Sequence, residues 1–318
     1  MNGKNDTAVA EYVLLEMALF VLCLTIYCLT LLGNSLLAGL IGLDSRLHNP
    51  MYFFLSNLSL IDISGTSSFM PLMLINFLAA QKTISFPSLA LQMYLTLAPG
   101  ATECLLLAAM AYDRFVAICQ PLRYLQLMSG RMWMWMAALS WGTGFANSLL
   151  QSILVWRLPF CGHNVINHFC AILAVLKPAR GDISLNALTI MVATAVLTLT
   201  PLLLICHSYI FILAAILSVP SAAGRHKAFS TCSAHLTVVV VFYRTISFMN
   251  LKPKAKDPDV DKLITLFYEV VTPSLNPIIY GLRNSEVKAA FAVLLRRDFT
   301  RRMPHFYCCN PALSVSNG

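Results

Sequence analysis

The sequence predicts an all-α membrane protein: seven membrane-crossing helices in a bundle, followed by a short amphipathic eighth helix. Two observations carry this. Of the 318 residues, 58% are hydrophobic and only 11% charged, with a mean hydropathy of +0.71. Soluble globular chains are about a quarter charged, so the main solvent of this chain is lipid. The apolar residues also gather into seven runs of the length a helix needs to cross hydrocarbon, about 20 residues. Only helices and closed barrels satisfy their backbone polar groups there.

The first run, residues 17–43, is too long for the h-region of a cleavable signal peptide. It also lacks a basic flank and a small-residue cleavage site, so it reads as an uncleaved anchor. The second, 51–77, carries Asp62 about midway, and the third, 89–119, carries Glu103 and closes on Asp113-Arg114. The fourth is 133–154. The fifth, 185–217, contains Pro201; the sixth, 231–251, contains Arg244; the seventh, 262–282, contains Glu269, Pro273 and Pro277. Prolines within spans are tolerated because neighbouring helices re-satisfy the carbonyls they free. Pro277 follows Asn276, so a kink with a polar side chain beside it is expected. After the seventh run, residues 284–299 place Val287, Phe291, Leu294 and Leu295 on one side of a helix and Lys288, Arg296 and Arg297 toward the other, the pattern of a helix in the membrane surface. The tail, 304–318, reads as irregular. Two connections are long: 157–182, with Cys161, Cys170 and several His, and the charged 252–261. Three regions follow: an N-terminal segment 1–16, the bundle 17–282, and a cytoplasmic helix and tail 283–318.

An odd number of spans puts the two ends on opposite sides. With the N-terminus outside, twelve Lys and Arg fall in the cytoplasm and nine outside, with Arg244 inside a span, a weak positive-inside bias. Asn5-Asp6-Thr7 is a glycosylation sequon, usable at Asn5 only with a lumenal N-terminus. Asn57-Leu58-Ser59 fits the same pattern but lies in a span. The net charge of +8 is scattered over span ends and tail, where it meets anionic headgroups or a cytosolic partner. No aromatic-interleaved basic groove points to nucleic acid. The chain holds no Gly-rich phosphate loop, HExxH or GxSxG, and its halves are not similar as inverted-repeat transporters are. No enzyme template fits, and no cofactor or metal is expected.

A charge at membrane depth costs about 2.5 to 3.5 kcal/mol on insertion scales, which makes Asp62, Glu103, Arg244 and Glu269 functional candidates by default. Asp62, Glu103, Asn34 and Asn276 can form one polar cluster inside the bundle. It suits Na⁺, water or a shared proton, or serves only to hold helices together; both uses demand inward-facing carboxylates.

Six stretches carry a family likeness: LLGNS (31–35), LHNPMYFFLSNLS (47–59), MAYDRFVAIC (110–119) with PLRY (121–124), SY (208–209), KAFSTCSAHLTVV (227–239) and PSLNPIIY (273–280). Spread in this order over nearly the whole chain, they resemble the odorant (olfactory) receptors, a branch of the rhodopsin-like G-protein-coupled receptors. The resemblance implies a multi-pass plasma-membrane receptor with an extracellular N-terminus. It would take a small odorant within the bundle and activate a stimulatory olfactory-type heterotrimeric G protein, raising cyclic AMP, with membrane lipid as its surround. Arg114 would contact the G protein, restrained at rest by Asp113; Tyr209 and Tyr280 would stabilise the open state. Lys227 to His235 would form the moving inner end of the sixth helix, with Asn276-Pro277 in the seventh. The implied pocket lies between the outer halves of helices three, five, six and seven. Helical spacing back from Arg114 assigns to it Thr96, Leu97, Gly100, Ala101 and Cys104. Ala193 and Leu197 join from helix five; Tyr243, Ile246, Ser247 and Asn250 from six; Leu266 and Glu269 from seven. Such a cavity is mostly apolar.

The chain also departs from the family. The usual Tyr after the Arg is Phe115. The outer Cys of helix three is replaced by Leu89, and a third outer-loop Cys by Arg180, so Cys161 and Cys170 lose their usual partners. They either bridge each other or stay free. A loop so short constrains the bundle far less, and impaired folding or surface delivery is the expectation. Arg244 and Glu269 replace small residues near the expected pocket floor. They either pair across helices six and seven, or Arg244 turns away and Glu269 takes a proton; Glu269 could instead anchor an amine. Cys308-Cys309 is either a palmitoylated second anchor or an unmodified pair. The competing class is an ion-coupled transporter or channel built on Asp62 and Glu103.

Overall fold

In lipid, apolar side chains gain nothing by leaving the solvent for another helix, so the bundle is held by close backbone approach and by hydrogen bonds. The computed structural model describes residues 3–78, 86–157, 184–251, 272–280 and 286–293. They form α1 (Gly3–Leu43), α2 (Pro50–Leu78), α3 (Phe86–Cys119), the single turn α4 (Tyr124–Leu127), α5 (Gly130–Trp156), α6 (Ser184–Leu217) and α7 (Ala222–Leu251). Helical residues 272–280 and 286–293 follow as α8 and α9. All described secondary structure is helical, as the composition predicts. α1 extends beyond its membrane-crossing part, Met17–Leu43, through residues 3–16.

Among the described residues, four helices are long and apolar enough to cross on length and composition alone: Met17–Leu43, Pro50–Ile75, Ala90–Cys119 and Ser184–Leu217. α7 joins them when its two parts, separated by a 42° bend, are taken as one span. α5 falls short because its buried face is polar and small: Ser140, Gly144, Ser148, Gln151 and Ser152. That face explains how α5 packs. A methyl on Gly144 would overlap Thr102 Oγ1 and come within 2.6 Å of the Ala98 carbonyl oxygen, so α3 and α5 touch backbone to backbone there. The Ser148 hydroxyl donates to the Tyr94 carbonyl, and Asn186 Nδ2 donates to the Leu154 carbonyl at 2.9 Å, tying α5 to α3 and α6. Trp141 Nε1 donates to Asn57 Oδ1 at 3.0 Å, which settles Asn57 inside the bundle.

α3 is the central rod, packed against α2, α5, α6 and α7, with Leu106, Leu107, Ala111 and Val116 fully enclosed. α6 does the opposite: Leu199, Leu203, Leu204, Ile210 and Leu217 point outward, as residues facing lipid do. At the end of the bundle where α1 passes into α2, Val287 and Ala290 of α9 are buried while Lys288 is exposed, and Tyr52 of α2 donates to Glu286 Oε2 at 2.7 Å. The two-sided pattern read from the sequence therefore holds at Val287 and Lys288, whereas Phe291 is largely exposed; residues from Leu294 onward lie outside the described residues.

Candidate functional site: a cavity, an acid pair and a half-buried arginine

A cavity of about 420 Å³ opens between α2, α3, α5, α6, α7 and α8. Eight of the residues assigned from the sequence line it: Thr96, Leu97, Gly100, Ala101, Cys104, Ala193, Leu197 and Ile246. The α7 residues are out of phase by about one position. Phe242, Thr245 and Ile246 face the cavity, Tyr243 is buried to one side, and Ser247 is exposed. One residue is about 100° of helix rotation, so Ser247, assigned from the sequence, swings off the wall. Arg244 is corrected likewise: its side chain is exposed on the outside of α7 rather than set in a cavity floor. The side chain of Asn250, together with Leu266 and Glu269, lies outside the described residues, as does any Arg244–Glu269 pairing.

The sequence reading left out the walls from α2 and α5. Thr66 and Phe69 of α2 and Asn147 and Gln151 of α5 line the cavity, as do Thr194 and Thr198 of α6. A signal existed in the fourth run: Gly144, Asn147, Ser148 and Gln151 recur at helical spacing, the mark of an inward face in a helix otherwise set in lipid.

The cavity reaches down to the predicted acid pair. Asp62 and Glu103 both line it, 2% and 9% exposed. Asn276 Nδ2 donates to Asp62 Oδ2 at 2.9 Å. Asn34 joins through the backbone: its Nδ2 donates to the Pro273 carbonyl at 3.3 Å. Pro277, four residues on, has no N–H to give that carbonyl, so Asn34 supplies the missing helical donor. Gly33 allows this approach, since a methyl there would sit 3.1 Å from the Pro277 ring. The four polar groups read from the sequence therefore meet around α8.

Below the acid pair the predicted inner-end residues also converge. Asp113 is 1% exposed, far from the exposure of a carboxylate at a solvated helix end. Arg114 Nε lies 3.9 Å from Asp113 Oδ2, and the Tyr124 hydroxyl donates to Asp113 Oδ1 at 2.8 Å. Burial, then the Asp113 charge, push the Tyr124 hydroxyl above its ordinary value, so it stays a donor. Between α6 and α7, the Tyr209 hydroxyl and His235 Nδ1 are 2.7 Å apart, with their rings stacked at 5.8 Å and 11°. Arg114 lies within electrostatic reach of Tyr209, His235 and Tyr280. Tyr280 is fully enclosed, its hydroxyl without a hydrogen-bond partner among the described residues.

The sequence model of the family described as Olfactory receptor matches residues 22–297. Human olfactory receptor 2S2 is 56% identical over 296 residues, covering 90% of this chain and 93% of the relative. Human olfactory receptor 13C9 is 50% identical over 315 residues, covering 94% and 99%. The chain belongs to the olfactory receptor family. It is a multi-pass membrane receptor of the G-protein-coupled, seven-helix kind, not an enzyme.

Within this olfactory receptor, Phe115 stands where the resemblance gives Tyr, and its ring packs edge-on to Phe211 of α6 at 6.0 Å. That contact needs no hydroxyl. Lys227 lies in α7, but its side chain, like that of Asn5 in α1, is outside the described residues, as are Cys161 and Cys170.

Proposed function

We propose that this receptor, with its N-terminus extracellular, binds small, weakly polar volatile molecules in the 420 Å³ cavity and couples at its inner end to a stimulatory heterotrimeric G protein, raising cyclic AMP. The observation that carries this reading is the course of α7. Phe242, Thr245 and Ile246 of α7 line the cavity, and His235, about two turns below on the same helix, is bonded to Tyr209 beside Arg114. A ligand that fits the cavity better with α7 displaced biases the bundle toward the open state by its difference in affinity for the two states. Opening parts His235 from Tyr209 and frees Arg114 for the G protein.

Asp62 and Glu103 take a second role in this reading. Two carboxyl groups at membrane depth, with Asn276 donating to Asp62, hold a monovalent cation or a shared proton that steadies the resting bundle. Asn5 carries a glycan, residues 283–318 form the cytoplasmic helix and tail, and delivery to the surface is weakened by the absence of cysteines at positions 89 and 180. Cells expressing a surface-tagged chain are challenged with an odorant panel while tag and cyclic AMP are read together. The reading requires a cyclic-AMP rise that Arg114→Gln weakens at equal surface level. Current or solute uptake in proteoliposomes without any G protein, and no cyclic-AMP response, favours the transporter class instead.

A further inference from the structure

On the flank of the bundle away from the odorant cavity, a second concavity of about 560 Å³ lies between the first turns of α3 and the last turns of α5. Its origin is mechanical. α3 and α5 are pressed together at Gly144 against Ala98 and Thr102, and pinned again where Ser148 bonds the Tyr94 carbonyl. Beyond that pin the facing side chains are short, Ala90 and Ser152, and the helices leave a groove walled by Leu91, Tyr94, Leu149 and Ile153. Ala90 to Cys119 of α3 is membrane-crossing, so what fills an apolar groove on its outer face comes from the bilayer.

Two polar features at the upper end narrow the occupant. Arg157, lining the groove at the end of α5, is exposed, and no carboxylate among the described residues pairs with it. Ser152, also in the lining, is 8% exposed and its hydroxyl has no hydrogen-bond partner among the described residues. Five residues of helix rise set Ser152 about 7.5 Å deeper than Arg157. Trp156, largely exposed beside them, is the kind of residue that settles at the headgroup level. A sterol has a single polar group and cannot serve both positions. A phospholipid has an anionic phosphate for the guanidinium and ester carbonyls one layer deeper for the hydroxyl.

We propose that this groove is a specific site for one phospholipid of the leaflet on the N-terminal side, its phosphate on Arg157, an ester carbonyl on Ser152 and an acyl chain along Leu91 and Ile153. The bound lipid wedges α3 and α5 apart above the Gly144 contact, on the same α3 that lines the odorant cavity one face away.

The full chain, purified from cell membranes in mild detergent and washed free of loosely held lipid, is assayed for retained phospholipid and sterol by mass spectrometry. The expected result is one phospholipid per chain, with retention about tenfold weaker in Arg157→Gln through loss of a charge-assisted hydrogen bond, and abolished in Ile153→Trp, which fills the groove. Neither residue touches the odorant cavity. In parallel, the unaltered chain in nanodiscs containing phosphatidylcholine with a diazirine on its acyl chain is irradiated and digested. Crosslinks concentrated in residues 149–157 support the site even where a variant fails to fold. Retention of sterol in place of phospholipid, equal retention in all three proteins, or crosslinks spread evenly over α1 and α6 overturns it.

Discussion

Replacing His235 by Phe tests whether the α6–α7 contact holds the receptor at rest. The ring, its stacking on Tyr209 and most of its volume survive, while the 2.7 Å bond to the Tyr209 hydroxyl is lost. The remaining contact of that hydroxyl is the Cys232 carbonyl at 3.5 Å, the outer limit of a hydrogen bond. A buried hydrogen bond of this kind is worth about 0.5 to 1.5 kcal/mol net, and a hydroxyl left without a partner costs about 1 to 3 kcal/mol. The resting state bears that loss; the open state, in which α7 has moved off Tyr209, does not. A difference of about 1.4 kcal/mol is tenfold in the ratio of open to resting receptor, so ligand-free cyclic AMP should rise by about twofold to tenfold in His235→Phe. The assay is basal cyclic AMP normalised to surface tag. Tyr209→Phe and the double variant complete a cycle, and the pair must be non-additive if the bond itself is the restraint. Basal signalling that stays flat or falls, at normal surface level, refutes the reasoning.

Three further outcomes follow from contacts in the bundle. Gly100 lines the cavity with open space where a side chain would begin, so Gly100→Leu should fill it without disturbing the fold and shift potency for the larger ligands by about 10- to 200-fold, read as dose-response at equal surface level. Asn34→Leu strips the Pro273 carbonyl of its donor and should cost about 1 to 3 kcal/mol, seen as a lower melting temperature of the detergent-solubilised receptor. Gly144→Val forces α3 and α5 apart against Thr102 and the Ala98 carbonyl; overpacking costs about 1 to 3 kcal/mol or more, and surface delivery should fall while transcript level does not.

The class of fold was legible in the sequence because lipid imposes it: scarcity of charge and the length of the apolar runs leave little choice but spanning helices. The polar cluster was legible for the same reason, since Asn34, Asp62, Glu103 and Asn276 had nowhere but the interior to go. Helix phase was not. Counting back from Arg114 placed Thr96, Gly100 and Cys104 on the cavity wall, yet the count along helix six put Tyr243 and Ser247 where Phe242 and Thr245 stand. A straight-helix count carries an error of 100° for each misplaced residue, and α7 bends by 42° between Ser230 and Cys232, inside the inner-end motif itself. The α5 wall was missed because resemblance to a family directed attention to helices three, five, six and seven, while the small and polar face of the fourth run already said that it turned inward.

The Asn34–Pro273 bond also says where the bundle can bend. Pro277 removes one helical hydrogen bond from α8, and the carbonyl it frees is held by a side chain of α1, not by α8 itself. One turn around from that break, Asn276 reaches in the other direction, to Asp62 of α2. α8 is therefore fixed at its weakest point by two neighbouring helices rather than by its own ladder, and Gly33 keeps α1 close enough to do so. Tyr280 lies one turn further down, enclosed and, among the described residues, without a hydrogen-bond partner for its hydroxyl. An enclosed hydroxyl without a partner is a cost borne by the resting arrangement, and any rearrangement that gives it one is favoured by that amount. The part of α8 beyond Pro277 thus has both the freedom to move and a reason to, while the part that borders the cavity at Thr272 and Pro273 stays tied to α1.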